Sequence, residues 1–281
     1  MAWIIVRDAP KHRVELDLLS FPVGAGFRGF EGVLQGIHRV RIVTGDGLVA
    51  SCELMLPNMR SVHVLRFEQG ELHADTSPEA RQLAHQAEAG ELDAGLISPL
   101  SLNHDLTVAW HTATSAIDKP LDEIPLPAKT RGIGNRFARF WKSHGGKSER
   151  ALRELQSAFA RSVLRRDHLA QKRLVETVTA HYTAGAKRIA ATPEYFVSFG
   201  QSVTAFYKLM PASDPATAMF HGIEHLAADL DRVGTAELTQ VAADLKRVHP
   251  RRHAPRTVLA KQGEGFGALL RGYVKTVFRP Q

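Results

Sequence analysis

A glycine-rich stretch, residues 21–43, constrains the fold of the N-terminal half more than any other feature. Its first half holds four glycines, Gly24, Gly26, Gly29 and Gly32, and Gly36 precedes an apolar run that ends at Val43. Glycine tolerates positive φ and lets two backbones approach closely, so the pattern predicts tight turns that lead into a strand. A phosphate-binding loop would instead need a helix directly after the glycines. Because a β-branched run follows, the sequence favours a β-domain with a bent, glycine-rich edge.

Length and composition indicate a folded protein of one large or two ordinary domains. The chain has 281 residues, of which 44% are hydrophobic and 23% charged, values close to globular averages. A single cysteine, Cys52, excludes an intramolecular disulfide and a cysteine-based metal cluster, and it fits a reducing compartment. Neither a signal peptide nor an apolar run of about 18 residues is present. We therefore expect a soluble intracellular protein without a membrane partner.

Positive charge is concentrated in two segments. The formal net charge is +7, and residues 128–175 hold 13 Lys or Arg against 3 Asp or Glu. Residues 246–281 hold 9 against 1. This asymmetry predicts an acidic partner surface or a nucleic acid, while a solvated basic face is the simpler alternative.

Residues 1–112 carry the signals of a β-rich domain. Short β-branched or apolar runs, separated by turn residues, predict strands at 3–6, 14–19, 37–43, 48–56 and 62–67. The Gly-Asp-Gly sequence at 45–47 predicts a hairpin. Ser77 followed by Pro78 predicts the start of a helix that runs to about Ala89. Leu106 to Trp110 is predicted to form a last strand. His38, beside a strand, is interpreted as a surface residue or a satisfied polar residue and not as a catalytic base.

Residues 113–147 are predicted to be a basic linker rich in proline and glycine. Within it, basic residues alternate with aromatic ones, a pattern suited to a nucleic acid or a membrane surface because arginine pairs with phosphate while rings stack on bases or lie in an interface. The RNA-binding candidates are Arg131, Arg136, Phe137, Arg139, Phe140 and Trp141. The alternative is an amphipathic segment whose three rings dock on one of the domains.

From residue 148 onward the pattern is helical. Apolar stripes predict helices at about 148–164, 168–190, 193–209, 214–234 and 235–248, with a further amphipathic piece at 266–278. Ser148, Thr192 and Thr235 are predicted caps. Such helices on short loops form a bundle, so the fold class is α+β: a β-rich N-terminal domain (1–112), the linker (113–147) and an α-helical C-terminal domain with an extended tail (148–281).

One string has the pattern of a metal site. His221-Gly-Ile-Glu224-His225 fits the H-x-x-E-H signature of inverted zinc proteases. However, no suitable third ligand follows in the sequence, and histidine pairs at this spacing are expected by chance among 14 histidines. We therefore predict no catalytic residue, metal or cofactor.

Three portions of the chain resemble the AAR-two family, whose members assist the assembly of the U-five small nuclear ribonucleoprotein. The first is Gly24-x-x-Phe27-x-Gly29 followed by Gly36-x-His38. The second is the strand region 57–68. The third is the sequence Glu-Leu-Gln-Ser-Ala-Phe at 154–159, similar to the family's E-x-Q-x-A-F opening of its helical domain.

The resemblance implies a non-enzymatic assembly chaperone in pre-mRNA splicing, found in nucleus and cytoplasm and monomeric on its own. It implies binding to the large U-five scaffold protein, through that protein's RNase H-like and Jab/MPN-like domains. A gripping tail at 255–281 is also implied, with apolar anchors at Phe266, Leu270, Tyr273, Val274 and Phe278. Ser143 and Ser148, set among basic residues, are the predicted phosphorylation sites of a release switch. Direct RNA binding through linker and tail is the alternative function.

Overall fold

The chain divides into two compact units, Met1–Pro125 and Leu126–Gln281, and each is described by itself. The structure is a computed structural model that describes residues 2–9, 13–24, 26–45, 47, 49–58, 60–92, 95–127, 129, 135–210, 219 and 222–248. Strands occupy the first unit and helices dominate the second. The predicted α+β class, β-rich and then helical, is confirmed. The division after Pro125 falls inside the segment predicted as a linker.

The first unit contains two sheets. Its strands are β1 (Ala2–Arg7), β2 (Arg13–Leu16), β3 (Leu19–Pro22), β4 (Gly29–Val33), β5 (Gly36–Val43), β6 (Val49–Leu56), β7 (Val62–Glu68), β8 (Glu71–Ala74) and β9 (Leu96–Ile97). One sheet has the order β8-β7-β1-β4-β9 and the other β3-β2-β5-β6. Residues from both sheets share one apolar core, which includes Ile4, Phe30, Val40 and Leu65.

The glycine-rich stretch carries the chain from one sheet to the other. β4 pairs with β1 in the first sheet, whereas β5 pairs with β2 and β6 in the second. Gly36, at the entry to β5, has φ +127°. Gly29 has φ +142°, and a Cβ there would lie 2.1 Å from the Ile4 carbonyl oxygen. Strands follow these glycines, as the sequence indicated. The prediction of a glycine-rich edge is wrong, because β4 lies between β1 and β9 and β5 lies between β2 and β6.

Local turn and cap signals are also confirmed in this unit. β5 and β6 form an antiparallel hairpin in register from Gly36↔Leu56 to Val43↔Val49. Helix α1 (Pro78–Ala89) begins where predicted, since the Ser77 hydroxyl accepts a hydrogen bond from the Ala80 amide.

The strand predicted at Leu106 to Trp110 is wrong, because these residues lie in a helix. Helices α2 (Pro99–Leu102) and α3 (His104–Thr114) follow β9. The Asn103 side chain accepts a hydrogen bond from the Leu106 amide and caps α3. A short apolar run fits a strand or a buried helix equally well by periodicity. The Asn103 cap favours the helix over the strand in this segment. The helix places Trp110 so that its Nε1 donates to the Ile37 carbonyl oxygen at 3.0 Å.

The second unit is built from helices. They are α4 (Arg136–Ser143), α5 (Ser148–Leu164), α6 (His168–His181), α7 (Ala186–Ala191), α8 (Pro193–Leu209), α9 (Ile223–Val233) and α10 (Ala236–Val248). Phe159 of α5 stacks on Phe206 of α8, with ring centroids 4.2 Å apart. The aromatic stripe of α8 is core, because Tyr195, Phe196, Phe199 and Phe206 are all buried.

Several predicted helix boundaries need correction. The helix predicted over 168–190 is two, α6 and α7, separated at Gly185 with φ +75°. Ser148 is the first residue of α5 and no side chain caps that helix. The Thr192 hydroxyl donates to the Arg188 carbonyl oxygen and does not cap α8. Thr235 does cap α10, accepting from the Leu238 amide. Residues 211–218 and 266–278 lie outside the described residues.

Replacement of Gly29 by alanine tests the close approach of β4 to β1. We expect Gly29→Ala to lower the free energy of unfolding by about 2–4 kcal/mol, because the methyl group meets a backbone oxygen and the backbone is strained. Gly24→Ala is the matched control, since no atom lies within 4 Å of a Cβ at Gly24. Urea unfolding measures both. Equal stabilities for the two variants would contradict this account.

Candidate functional site

Helix α4 holds most of the residues predicted to bind RNA, and it presents two different faces. Phe137 and Phe140 are buried, at 0% and 1% exposure. Their rings lie 5.0 and 4.9 Å from the ring of His181. The half-buried Trp141 stacks on Phe137 at 5.6 Å. The prediction that Phe137 and Phe140 stack on bases is therefore wrong, and the alternative, a segment whose rings dock on a domain, is confirmed.

The opposite face of α4 is basic. Arg136, Arg139 and Lys142 are exposed and follow each other at a spacing of three residues. On a helix this spacing places them on one side. The cations predicted to contact phosphate are thus on the surface, whereas Arg131 lies outside the described residues.

Two buried pairs flank the rings of α4. The Nδ1 of His181 donates to the Thr177 carbonyl oxygen at 2.7 Å, and its Nε2 accepts from the Tyr195 hydroxyl at 2.6 Å. Burial lowers the pKa of His181 to about 3, although the hydrogen bond to Thr177 acts in the opposite direction. Burial raises the pKa of Tyr195. At neutral pH both groups are uncharged, and the pair joins α6 to α8.

The second pair joins His144 to the carboxylate of Glu154. His144 Nε2 lies 2.7 Å from Glu154 Oε2, and the Arg150 guanidinium donates to the other carboxylate oxygen at 3.0 Å. Burial alone would raise the pKa of Glu154, but the hydrogen bonds and positive charges of His144 and Arg150 outweigh it and hold that pKa below its usual value. The carboxylate stays charged and ties the end of α4 to α5.

His38, in the first unit, is a third buried histidine. Its Nδ1 donates to Asp17 Oδ2 at 2.8 Å, and its Nε2 donates to the Leu34 carbonyl oxygen at 2.7 Å. Burial lowers the pKa of His38, but Asp17 and the Leu34 carbonyl overcome this, so the net shift is upward. Asp17 sits in the β2–β3 turn with φ +56° and also accepts from the Arg39 amide at 2.9 Å. His38 is thus a satisfied polar residue, as interpreted from the sequence.

These histidine partners were not found from the sequence. Asp17 and His38 are 21 positions apart, and His181 and Tyr195 are 14 apart. No periodicity links residues on different elements. Only the turn position of Asp17 carried a local signal, since aspartate tolerates positive φ.

The two predicted phosphorylation sites lie at opposite ends of neighbouring helices. Ser143 ends α4, where its hydroxyl donates to the Phe140 carbonyl oxygen at 2.7 Å. Ser148 is exposed at the start of α5. The predicted partner-binding residues lie outside the described residues, namely Phe266, Leu270, Tyr273, Val274 and Phe278.

The H-x-x-E-H string forms no metal site within the part of the chain that the structure describes. Glu224 and His225 are exposed on α9, and His221 lies outside the described residues. Among the described side chains, no group of three potential metal ligands comes together.

Comparisons with known proteins add no family. No model of a protein family matches the chain, and no curated protein matches it either. Of the helices that the structure describes, none has the length and hydropathy needed to cross a membrane.

The His38–Asp17 pair predicts a pH-dependent stability. A raised pKa means that the folded state binds the proton more tightly than the unfolded state. The contribution is therefore fully present below about pH 6.5 and is lost as the pH rises through the folded-state pKa. Urea unfolding from mildly acidic to mildly alkaline pH should show a steeper alkaline loss for the wild type than for His38→Gln. Parallel curves would refute the pairing.

Ser143 and Ser148 predict opposite effects of added negative charge. Ser143→Glu removes the bond to Phe140 and places an anion at the C-terminal end of a helix, whereas Ser148→Glu places one at an N-terminal end. From the helix dipole, we expect the first variant to lose about 0.5–1 kcal/mol of stability and the second to gain about 0.3–1 kcal/mol. Thermal unfolding measures both. The same sign for the two variants would contradict this assignment of the helix ends.

Proposed function

We propose that the chain is a non-enzymatic assembly chaperone that binds the large scaffold protein of the U-five particle and acts in nucleus and cytoplasm. The proposal is supported mainly by the positions of the residues that carry the AAR-two resemblance. Gly29 permits the approach of β4 to β1, and Gly36 and His38 open β5. The resemblance thus rests on residues that build the first unit and not on scattered surface identities.

The order of the two units also supports the proposal. A β-rich unit precedes a helical one, which is the order that the resemblance implies. All six residues of the Glu-Leu-Gln-Ser-Ala-Phe sequence are buried in α5. The Glu154 carboxylate accepts from His144, and the Gln156 amide donates to Ser202 at 3.0 Å. Its residues organise the core of the second unit.

The chemistry of the buried histidines favours binding over catalysis. His38, His144 and His181 each have both ring nitrogens within hydrogen-bond distance of groups of this chain. A general acid or base must instead reach a substrate proton. These three rings serve the fold.

Direct RNA binding is the second candidate, and the basic face of α4 favours it. In this form the contacts are to phosphate, through Arg136 and Arg139, because the neighbouring phenylalanine rings are buried. Phosphate contacts give a steep loss of affinity with salt, about 0.7–0.9 of a unit of log slope per contact.

Binding to the isolated RNase H-like domain of the scaffold protein tests the first candidate. We expect the full chain to form a complex that survives size-exclusion chromatography, and a chain without residues 255–281 to bind more weakly. If the full chain forms no complex with either the RNase H-like or the Jab/MPN-like domain, the proposal fails.

The RNA candidate is tested with single-stranded RNA in the same buffer. Arg136→Gln combined with Arg139→Gln should flatten the salt dependence, whereas Lys187→Gln with Arg188→Gln, two exposed cations of α7, should not. RNA binding that both double variants share equally would exclude the α4 face as the RNA site.

A further inference from the structure

Among the described strands, four lie at the edges of the two sheets, and β6 differs from the other three. β3 and β8 have four residues each, and β9 has two. β3 also ends in Pro22, which cannot donate to a ladder. β6 has eight residues and contains no Lys, Arg, Pro or Gly. Proteins usually prevent strand addition by keeping edges short or by placing Lys or Pro in them, so β6 is the edge best able to receive a strand.

Backbone groups on the outer side of β6 point away from its sheet. The Arg39 amide donates to the Asp17 carboxylate at 2.9 Å, and the Arg39 carbonyl oxygen accepts from the Asp17 amide at 2.8 Å. Arg39 therefore exchanges no backbone bonds with Glu53, its opposite residue in β6. This pattern repeats at every second residue of an antiparallel pair, so the amides of Ser51 and Met55 point outward. No described backbone group accepts a hydrogen bond from either amide.

The side chains of β6 show which surface an added strand meets. Val49 is 47% exposed, and Ser51 is also exposed. Ala50 and Leu54 belong to the apolar core, whereas Cys52, between them, packs on that core and is only half-buried. β8 approaches β6 at the same rim, but no ladder joins the two strands. The core is thus incompletely covered at Cys52, beside an outer face that is open to solvent.

The charge of the first unit favours a cationic strand. Residues 1–125 hold 10 Lys or Arg against 17 Asp or Glu, a net charge of −7. An ion pair within the unit uses one charge of each sign, so internal pairing leaves this net charge unchanged. Glu71 of β8 is exposed at the rim that β6 shares. Complementary charge speeds the encounter with a cationic partner and disfavours an anionic one.

We propose that the edge of β6, residues 49–55, receives an extended segment of a partner protein in which apolar residues alternate with Lys or Arg. The backbone of the segment bonds to the outward-pointing groups of β6, and its apolar side chains cover the core at Cys52. Its cations lie on the other face of the added strand, where they meet the field of the acidic unit. This edge does not depend on the chaperone proposal, so either can fail without the other.

Other occupants fit the edge less well. A nucleic acid offers no peptide groups for a ladder, and a net charge of −7 repels its phosphates. A second copy of the chain brings a first unit of the same net charge to the edge. Two eight-residue edges alone also bury well under the about 800 Å² per partner that stable interfaces bury.

Fluorescence anisotropy with a labelled peptide tests the edge. The probe alternates valine and lysine over about ten residues, and we expect it to bind the full chain. Ser51→Pro should weaken binding at least about tenfold, because proline removes an outward amide and its ring blocks the approach of the peptide. Ser51→Ala is the matched control, since it loses the same hydroxyl but keeps the amide, and it should bind like the wild type. A peptide of alternating valine and glutamate should bind at least about tenfold more weakly.

Cys52 provides a second measurement in the unaltered protein. It is the single cysteine of the chain, so its reaction with a thiol reagent reports how well this part of β6 is covered. Saturating valine–lysine peptide should slow the reaction about fivefold. This readout remains valid if Ser51→Pro fails to fold.

The proposal is overturned if the peptide does not bind, if it leaves the thiol reaction unchanged, or if folded Ser51→Pro and Ser51→Ala bind it alike. A chain without residues 249–281 that binds the peptide at least about tenfold more tightly would replace the partner by the chain's own tail. A dimer that Ser51→Pro dissociates, measured by sedimentation equilibrium, would replace it by a second copy.

Discussion

The first unit depends on a backbone contact that only glycine permits. At Gly29 the β4 backbone lies so close to Ile4 that a Cβ would overlap the carbonyl oxygen of β1. That approach sets the pairing of β4 with β1, and β1 in turn pairs with β7 on its other side. The chain passes directly from β4 in the first sheet to β5 in the second. The contact at Gly29 therefore helps to fix which strands belong to each sheet, and the apolar core lies between the two sheets.

Buried polar pairs connect elements in addition to the apolar core. His38 and Asp17 tie the β2–β3 turn to β5, whereas His181 and Tyr195 tie α6 to α8 as an uncharged pair. A buried polar group without a partner costs stability, so each pair is compatible with one arrangement of its elements. Their pKa values are shifted in opposite directions: Asp17 outweighs burial and raises the pKa of His38, whereas burial lowers the pKa of His181.

Local signals predicted much of the fold, and non-local contacts account for what was missed. Ser77, Gly45 and Thr235 act within a few residues of themselves, and each marked a cap or turn that the structure contains. Leu106 to Trp110 was assigned to a strand because five apolar-rich residues do not distinguish period two from a buried helix. The sequence left two alternatives open for Phe137, stacking on bases or packing on a domain. It could not separate them because Phe137 packs on side chains of α6 and α8 that lie more than 40 positions further along the chain.

In the helical unit, a short segment can be anchored by buried groups and still expose charged side chains. In α4, rings point into the core and cations point out, so its basic face is presented by a helix that is itself anchored. The turn between α5 and α6 is anchored by hydrogen bonds that cap the two helix ends, and not by buried rings. An anchored cation loses less side-chain and backbone entropy on binding than one on a free strand of chain. Charge held in this way is pre-organised for a shaped anionic surface, and this pre-organisation is the physical ground for the binding role proposed above.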